Sequence, residues 1–445
     1  MNAAPDTDRF ARAFAAARAD LPGHGNTEIA RLREAAMARF AVAGLPTRRD
    51  EGWRYTDLRR LDRLDLAGET ARADGAAAPA LPGSIAALEA ERIVFVDGRY
   101  DAALSLRGAL PEGARLDVLS AHLGNGCDDA AAILGPGLGE WNGAGQEGLA
   151  ALNSAMARDG VVLELADGVR LERPVLVVHL LSGAAGAVHP RSAVGLGAGA
   201  EAELVEVFVG HSGGGGWTNS VLEGAVGQGG RLRHAVLVRH GAAAVHTGRM
   251  TMDVARDAGY ATQAITLGGR VVRNEFVVRL SGPGAECSLS GGALADARRH
   301  VDHTTEITHA APHTESEQIF RNVADDNART VFQGRVVVER DAQKTNARQS
   351  SRSLLLSAGA EAQNKPELRI FADDVKCSHG ATVGDLDRDA LFYLRARGID
   401  EAEARALLTR AFVADLSTSL PVASLRPAVD EAVDGWLRRN ANGGG

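Results

Sequence analysis

The sequence predicts a mainly β core flanked by α-helical segments, and three observations carry that reading. From about residue 160 to 383 short β-like runs recur: VVLEL (161–165), PVLVVHLL (174–181), ELVEVFV (203–209), RLRHAVLV (231–238), RVVRNEFVVRL (270–280) and TVFQGRVVVER (330–340). Turns holding glycine or other small residues separate them, with no room for crossover helices, which disfavours a βαβ fold. Helical periodicity appears only before and after this region. A sandwich, a barrel and a solenoid of stacked strands all satisfy the pattern. The number of runs favours a solenoid, although no repeat consensus is visible.

At the N-terminal side, TEIARLREAAMARFAVA (27–43) places Ile29, Leu32, Ala36, Met37 and Phe40 at helical spacing, with Thr27 as the expected N-cap and Gly44 and Pro46 as the stop. The polar segment LPTRRDEGWRYTDLRRL follows, and residues 67–90, rich in Ala, Gly and Pro, read as a loose connection. ERIVFVDGRY reads as a strand with a D-G turn at Asp97-Gly98. Beyond Gly384, Asp387 is placed to cap ALFYLRAR, which stops at Gly398. Asp400 and Glu403 form a capping box for EAEARALLTRAFVADL, and Trp436 and Leu437 fall in a third helix ahead of a disordered-looking NANGGG tail. The expected domains are therefore 1–90 (helical, with linker), 91–384 (β core, its first part 91–160 poorly defined) and 385–445 (helical).

Bulk composition excludes several function classes. The 445 residues are 45% hydrophobic and 24% charged, as in ordinary globular proteins. Glycine is abundant at 52 residues while aromatics make up only 4%, which indicates many tight turns rather than an aromatic-lined pocket. A net charge of -8 argues against nucleic-acid binding. Three distant cysteines, Cys127, Cys287 and Cys377, do not make a disulfide framework and fit a reducing cytoplasm. No apolar run reaches the ~18 residues of a membrane helix. The N-terminal MNAAPDTDRFARAFAAARAD alternates Arg and Asp and so lacks a signal peptide's apolar core, and Asp6, Asp8 and Asp20 speak against a transit peptide. The three lysines, Lys344, Lys365 and Lys376, do not follow a phosphate-cradling glycine loop, so the chain is not a P-loop ATPase.

Three stretches carry candidate chemistry. GHSGG (210–214) fits the nucleophile-elbow pattern around Ser212, but glycines follow where a helix is required. RHVDHTTEITHAAPHT gathers His300, His303, His309 and His313, a set that could hold zinc. HVDHTTEIT reads as a strand, however, and on a strand His300 and His303 point to opposite faces, which favours structural histidines. In ADDVKCSHGAT (372–382), Cys377 and His379 share one face of an extended strand, behind Asp373 and Asp374. Thiolate and imidazole suit zinc, iron or an iron–sulfur cluster. From spacing alone, a structural cysteine beside a surface histidine leads over half of a metal site. A Cys–His nucleophilic pair is disfavoured because the two side chains diverge.

The segments HVDHTTEITH…SEQIFRNV, GRVVVERDAQKTNARQSSRSLLLS and KPELRIFADDVKCSHGATVGDLDRDALFYLRARGI, followed by ARALLTRAF, resemble in order the SufB/SufD family of the SUF iron–sulfur cluster assembly system. DEGWRYTDLRRL resembles that family's N-terminal region, whereas residues 60–160 carry little likeness. Gly380 and Ala381 stand where the SufB branch has a glutamate after the histidine, so CSHGAT favours the SufD branch. The resemblance implies a right-handed parallel β-helix between helical domains and a non-catalytic scaffold role. It also implies pairing with SufB, docking of the ATPase SufC, and a transient cluster shared with SufB at His379, with Cys377 as its neighbour. Asp373 and Asp374 would orient the strand or tune the ligands. Phe392, Tyr393, Leu394, Arg395 and Arg397 would dock SufC. A homodimer of the lone chain and reduced flavin in the assembled complex belong to the same implication. The alternatives are a zinc-binding protein using the 300–313 histidines and a β-helix enzyme acting on polysaccharide. The latter needs clustered carboxylates and sugar-stacking aromatics, and 4% aromatics speaks against it.

Overall fold

A period of two decides the core of the β region. In the strand Glu315–Ala324, Ser316, Gln318, Phe320, Asn322 and Ala324 are buried while Glu315 and Glu317 face solvent. Equivalent inward positions then stack in parallel register: Leu232 beside Tyr260, Cys287, Ser316, Ala347 and finally Cys377. Each coil gives one strand to each of two ten-stranded sheets, forming a parallel β-solenoid of about 8 turns. All six β-like runs are strands of it. The register steps between those stacked residues vary from 27 to 31, so only the inward–outward alternation repeats, without a fixed period. The computed structural model describes residues 7–64, 80–124, 129–135, 147–183, 186–211 and 214–442. Ser212, Cys127 and most of the 67–90 connection lie outside the described residues.

The coils turn through a stacked ladder of left-handed residues. Gly199, Gly229, Asp257, Gly284, His313 and Lys344 all have positive φ, between 54° and 75°. Each donates its N–H to a carbonyl of the next corner, as Asp257 does to Pro283 and His313 to Gln343. His313 therefore serves a turn. Its neighbours in sequence also separate: His300 meets Thr56, His303 meets Thr266 inside the solenoid, and His309 meets Thr314 and Ser316.

Helices cover the outer faces of both sheets. Helices Thr7–Ala17, Thr27–Ala43 and Glu147–Met156 bury Phe10, Phe14, Phe40 and Leu152 with Trp217, Val245 and Val271 of the second sheet. The cap of Thr27–Ala43 is Asn26 rather than Thr27. The Asn26 side chain accepts from the N–H of Glu28 and Ile29, so Thr27 already lies within the first turn. On the first sheet, Val413, Leu416, Val429, Val433 and Trp436 pack with Val205, Leu237, Ile265, Leu294 and Val323. Each such side chain contributes roughly 1.5–3 kcal/mol on burial. Asp387 and Asp400 cap Arg388–Ala396 and Glu401–Val413 as expected, and the last helix, Arg426–Asn442, runs further into the tail than its composition implied. Among the described residues no helix is long and apolar enough to cross a membrane.

Candidate functional site

With helices over both flanks, the solenoid's last coil is left uncovered. The first sheet ends at Lys376–Gly384, paired on one side only with Asn346–Leu355. The second ends at Glu361–Ile370, paired only with Arg329–Val338. Every residue of Lys376–Gly384 except Cys377 is exposed. Ile370, Phe371 and Val383 present 40%, 64% and 48% of their surface. Two long edges with free backbone donors and acceptors are a template for another chain's strand.

His379 stands on this edge at the end of an inward column. Below it in register lie Gln349, Gln318 and Leu289. Over the last four coils this column runs from leucine through two amides to imidazole. Thr305 donates to Gln318 at 2.6 Å, and Ser351 donates to Asn364 at 2.8 Å. The buried Gln349 amide has no hydrogen-bond partner among the described residues. His379 itself is exposed.

Cys377 shares that face but is half-buried against Val336, Val338, Ala342, Ala347 and Ala372. Burial pushes its thiol pKa up, opposed by a backbone hydrogen bond from Ala347. The thiolate is therefore disfavoured relative to a free cysteine. Cys287, the second described cysteine, is buried outright, and burial pushes its thiol up to about 12. Asp373 and Asp374 lie in the bend before the strand rather than beside His379. Asp374 pairs with Lys344, and its N–H donates to Gln343 at 2.9 Å. Among the described residues no three His, Cys, Asp or Glu side chains converge as a metal site. One imidazole with one apolar-packed thiol can supply part of a ligand set, and the remaining donors must come from elsewhere.

The helix Arg388–Ala396 follows this coil and buries none of its residues. Phe392 is 75% and Tyr393 58% exposed, and the Arg397 guanidinium lies 5.1 Å from the Tyr393 ring. Leu394 is half-buried, and Arg395 pairs with Glu401 at 3.0 Å. Sequence reasoning missed Gln349 and Asn364. Gln349 had a local signal in NARQSSRS, whose inward positions Ala347, Gln349, Ser351 and Ser353 are small or polar, whereas Asn364 lies outside that run, in Glu361–Ile370.

Comparison with known proteins covers nearly the whole chain. The SUF system FeS cluster assembly, SufBD core domain matches residues 179–412, and the SufBD protein N-terminal region matches residues 5–177. The chain is 31% identical over 394 residues to the iron–sulfur cluster assembly protein SufD of Escherichia coli (strain K12), covering 87% of this chain and 88% of that protein. It is 28% identical over 429 residues to the SufBD family protein slr0076 of Synechocystis, covering 94% and 93% of the two chains. It is 30% identical over 424 residues to the chloroplastic protein ABCI7 of Arabidopsis thaliana, covering 92% and 86%. A solenoid ending in an open coil, both family regions in sequence, and full-length relatives establish that this chain belongs to the SufBD family of iron–sulfur cluster assembly proteins and is SufD-like.

Proposed function

We propose that this chain is a non-catalytic scaffold subunit that pairs with SufB through its open terminal coil, receives SufC on its C-terminal helices, and offers His379 to a cluster assembled between subunits. The observation that carries this reading is the uncovered strand Lys376–Gly384 at the end of an otherwise covered solenoid. Strand addition there would continue both sheets and cover Ile370, Phe371 and Val383. A second copy of the chain could occupy the same edge when SufB is absent. The nascent cluster is cargo, so an incomplete ligand set on one subunit is suited to transient holding: neutral imidazole ligates iron, and subunit motion can open the site. Cys377 ranks below His379 because its thiol must leave an apolar cluster and lose a proton before it can bind. Asp374 would act on the strand's direction through Lys344 and Gln343. Phe392, Tyr393 and Leu394, flanked by Arg395 and Arg397, would form the contact with SufC. Reduced flavin belongs to the assembled complex in this reading, with no residue of this chain assigned to it.

The test is anaerobic cluster reconstitution on the complex of this chain with SufB and SufC, followed by iron content and the visible absorption of the cluster. His379→Ala is expected to lower the cluster yield at least about tenfold with the complex intact. Cys377→Ala should leave most of it. Full cluster yield in His379→Ala would remove the assignment.

A further inference from the structure

Six arginines line one cleft between the N-terminal segment 48–64 and the strand starts of the second sheet, in a chain whose net charge is -8. The cleft is about 780 Å³, within the usual size of a small-molecule site. Its roof is the segment carrying Arg48, Arg59 and Arg60; its rim is built by successive coils, which contribute Arg270, Arg298 and Arg329 at the starts of neighbouring second-sheet strands. Val245 and Val271 form an apolar floor and Tyr55 a wall.

Most of the local carboxylates are already engaged. Asp57 accepts from Arg59 at 2.7 Å, Asp62 pairs with Arg9 at 3.8 Å, and Glu361 pairs with Arg329. Arg48 donates to the Arg54 carbonyl at 3.1 Å. The guanidinium groups of Arg60, Arg270 and Arg298 have no hydrogen bond or ion pair among the described residues; the Arg270 backbone N–H donates to the Ala244 carbonyl. The same three line an adjoining hollow of about 610 Å³, where Asp326 is held by the Ala297 N–H. Partial burial, then the charges of Arg60, Arg298 and Arg299, pull Arg270 below the usual arginine range, the sign of cations gathered without enough counter-charge.

We propose that this cleft binds a phosphate-bearing small molecule, a diphosphate of nucleotide size, with Arg60, Arg270 and Arg298 on the phosphates and the Tyr55 and Val271 side on the organic portion. Guanidinium forks match phosphate oxygens geometrically, and three unpaired forks suit two phosphates better than one. The inference is independent of the cluster reading, because the cleft lies on the second sheet's strand starts and not on the terminal edge.

Isothermal titration of the full chain at about 0.1 M salt, where charges ~10 Å apart still interact, tests it with pyrophosphate, ADP and adenosine. Pyrophosphate and ADP are expected to bind and adenosine not. The double variant Arg270→Gln/Arg298→Gln should weaken both at least about tenfold at an unchanged melting temperature. Removing the same charge elsewhere, by Arg31→Gln/Arg388→Gln, should change affinity by less than about twofold. ADP is expected to bind tighter than pyrophosphate, since the organic portion meets the Tyr55 and Val271 side; equal binding would overturn that placement. Absence of binding by both phosphates at millimolar concentration, equal binding by the arginine double variant, or adenosine binding as well as ADP would overturn it.

Discussion

Asp302 shows how a single buried charge secures the N-terminal layer. It has no exposed surface and accepts hydrogen bonds from Arg273 at 2.6 Å, from Thr304 at 2.9 Å and from Thr56. Burial alone would raise its pKa, but Arg273 and the Thr56 hydroxyl more than offset this and hold the carboxyl below the usual range. Arg273 in turn lies 4.1 Å from the Trp53 ring, so the WRYTDL segment is clamped to the second sheet from both sides. Removing one partner of such a pair leaves an uncompensated buried charge and costs about 3–5 kcal/mol. Asp302→Ala is therefore expected to lower the melting temperature and to speed proteolytic cleavage within residues 44–64, with Asp302→Asn in between. An Asp302→Ala protein with unchanged melting and cleavage would show that the layer is anchored otherwise. WRYTDL was conspicuous in the sequence, yet its docking partner was not legible: Thr56 and Asp302 are separated by 246 positions, and neither hints at the other. The same holds for the cap of Thr27–Ala43, where Asn26 and Thr27 are both good capping residues and only backbone geometry chooses between them.

Among the elements, the strands and their turns were readable because alternation and left-handed corners leave a local trace. The helix Arg388–Ala396 was readable as well, since Asp387 caps it and Gly398, at φ 87°, ends it. What its residues face was not readable, because apolar side chains at helical spacing look alike whether they pack a core or await a partner. The fold separates the two: this helix buries no residue fully, whereas Glu401–Val413 buries Ala404, Thr409 and Val413. Exposed aromatics of this kind are frequent anchors of protein interfaces. Phe392→Ala and Tyr393→Ala are each expected to weaken SufC binding about tenfold, measured by titration with purified SufC, and to leave the melting temperature of the lone chain unchanged. Lower melting with unaltered SufC binding would return both residues to a packing role.

Taken whole, the molecule was legible as a β core between helices, and the number of runs favoured the solenoid it forms, while a repeat consensus was hidden by coil steps that vary between 27 and 31 residues. Its candidate site was half legible, since Cys377 and His379 lie two residues apart on one strand face while other donors would belong to another chain. The long interior has a further consequence for the entire fold, because it sequesters imidazoles. Burial lowers the pKa of His179, His300, His303 and His309 to about 4 and of His189 and His240 to about 3, and holds His246 well below the ordinary value. In the unfolded chain the same groups titrate near 6.5. Below that pH the unfolded state binds more protons than the folded one, so stability is complete above about 6.5 and is lost as pH falls toward the folded values. Asp159 works in the opposite sense, since burial raises it to about 6 and the folded state takes up its proton first. Burial raises Glu306 in the same sense, and two carboxyls against seven imidazoles leave the histidines dominant, at on the order of 1 kcal/mol per pH unit for each proton of difference. The melting temperature is therefore expected to fall steeply between pH 6.5 and about 4, while remaining nearly level from pH 7 to 8. His179 is the sharpest probe, because its ring stacks between Phe95 at 5.2 Å and Phe208 at 4.7 Å and neither nitrogen has a hydrogen-bond partner among the described residues. His179→Phe continues the stack without a titrating group, so it should shift the acid midpoint to lower pH and leave melting at pH 7.5 the same or higher. A variant that unfolds at the wild-type acid midpoint would show that buried imidazoles do not set the acid limit of this fold.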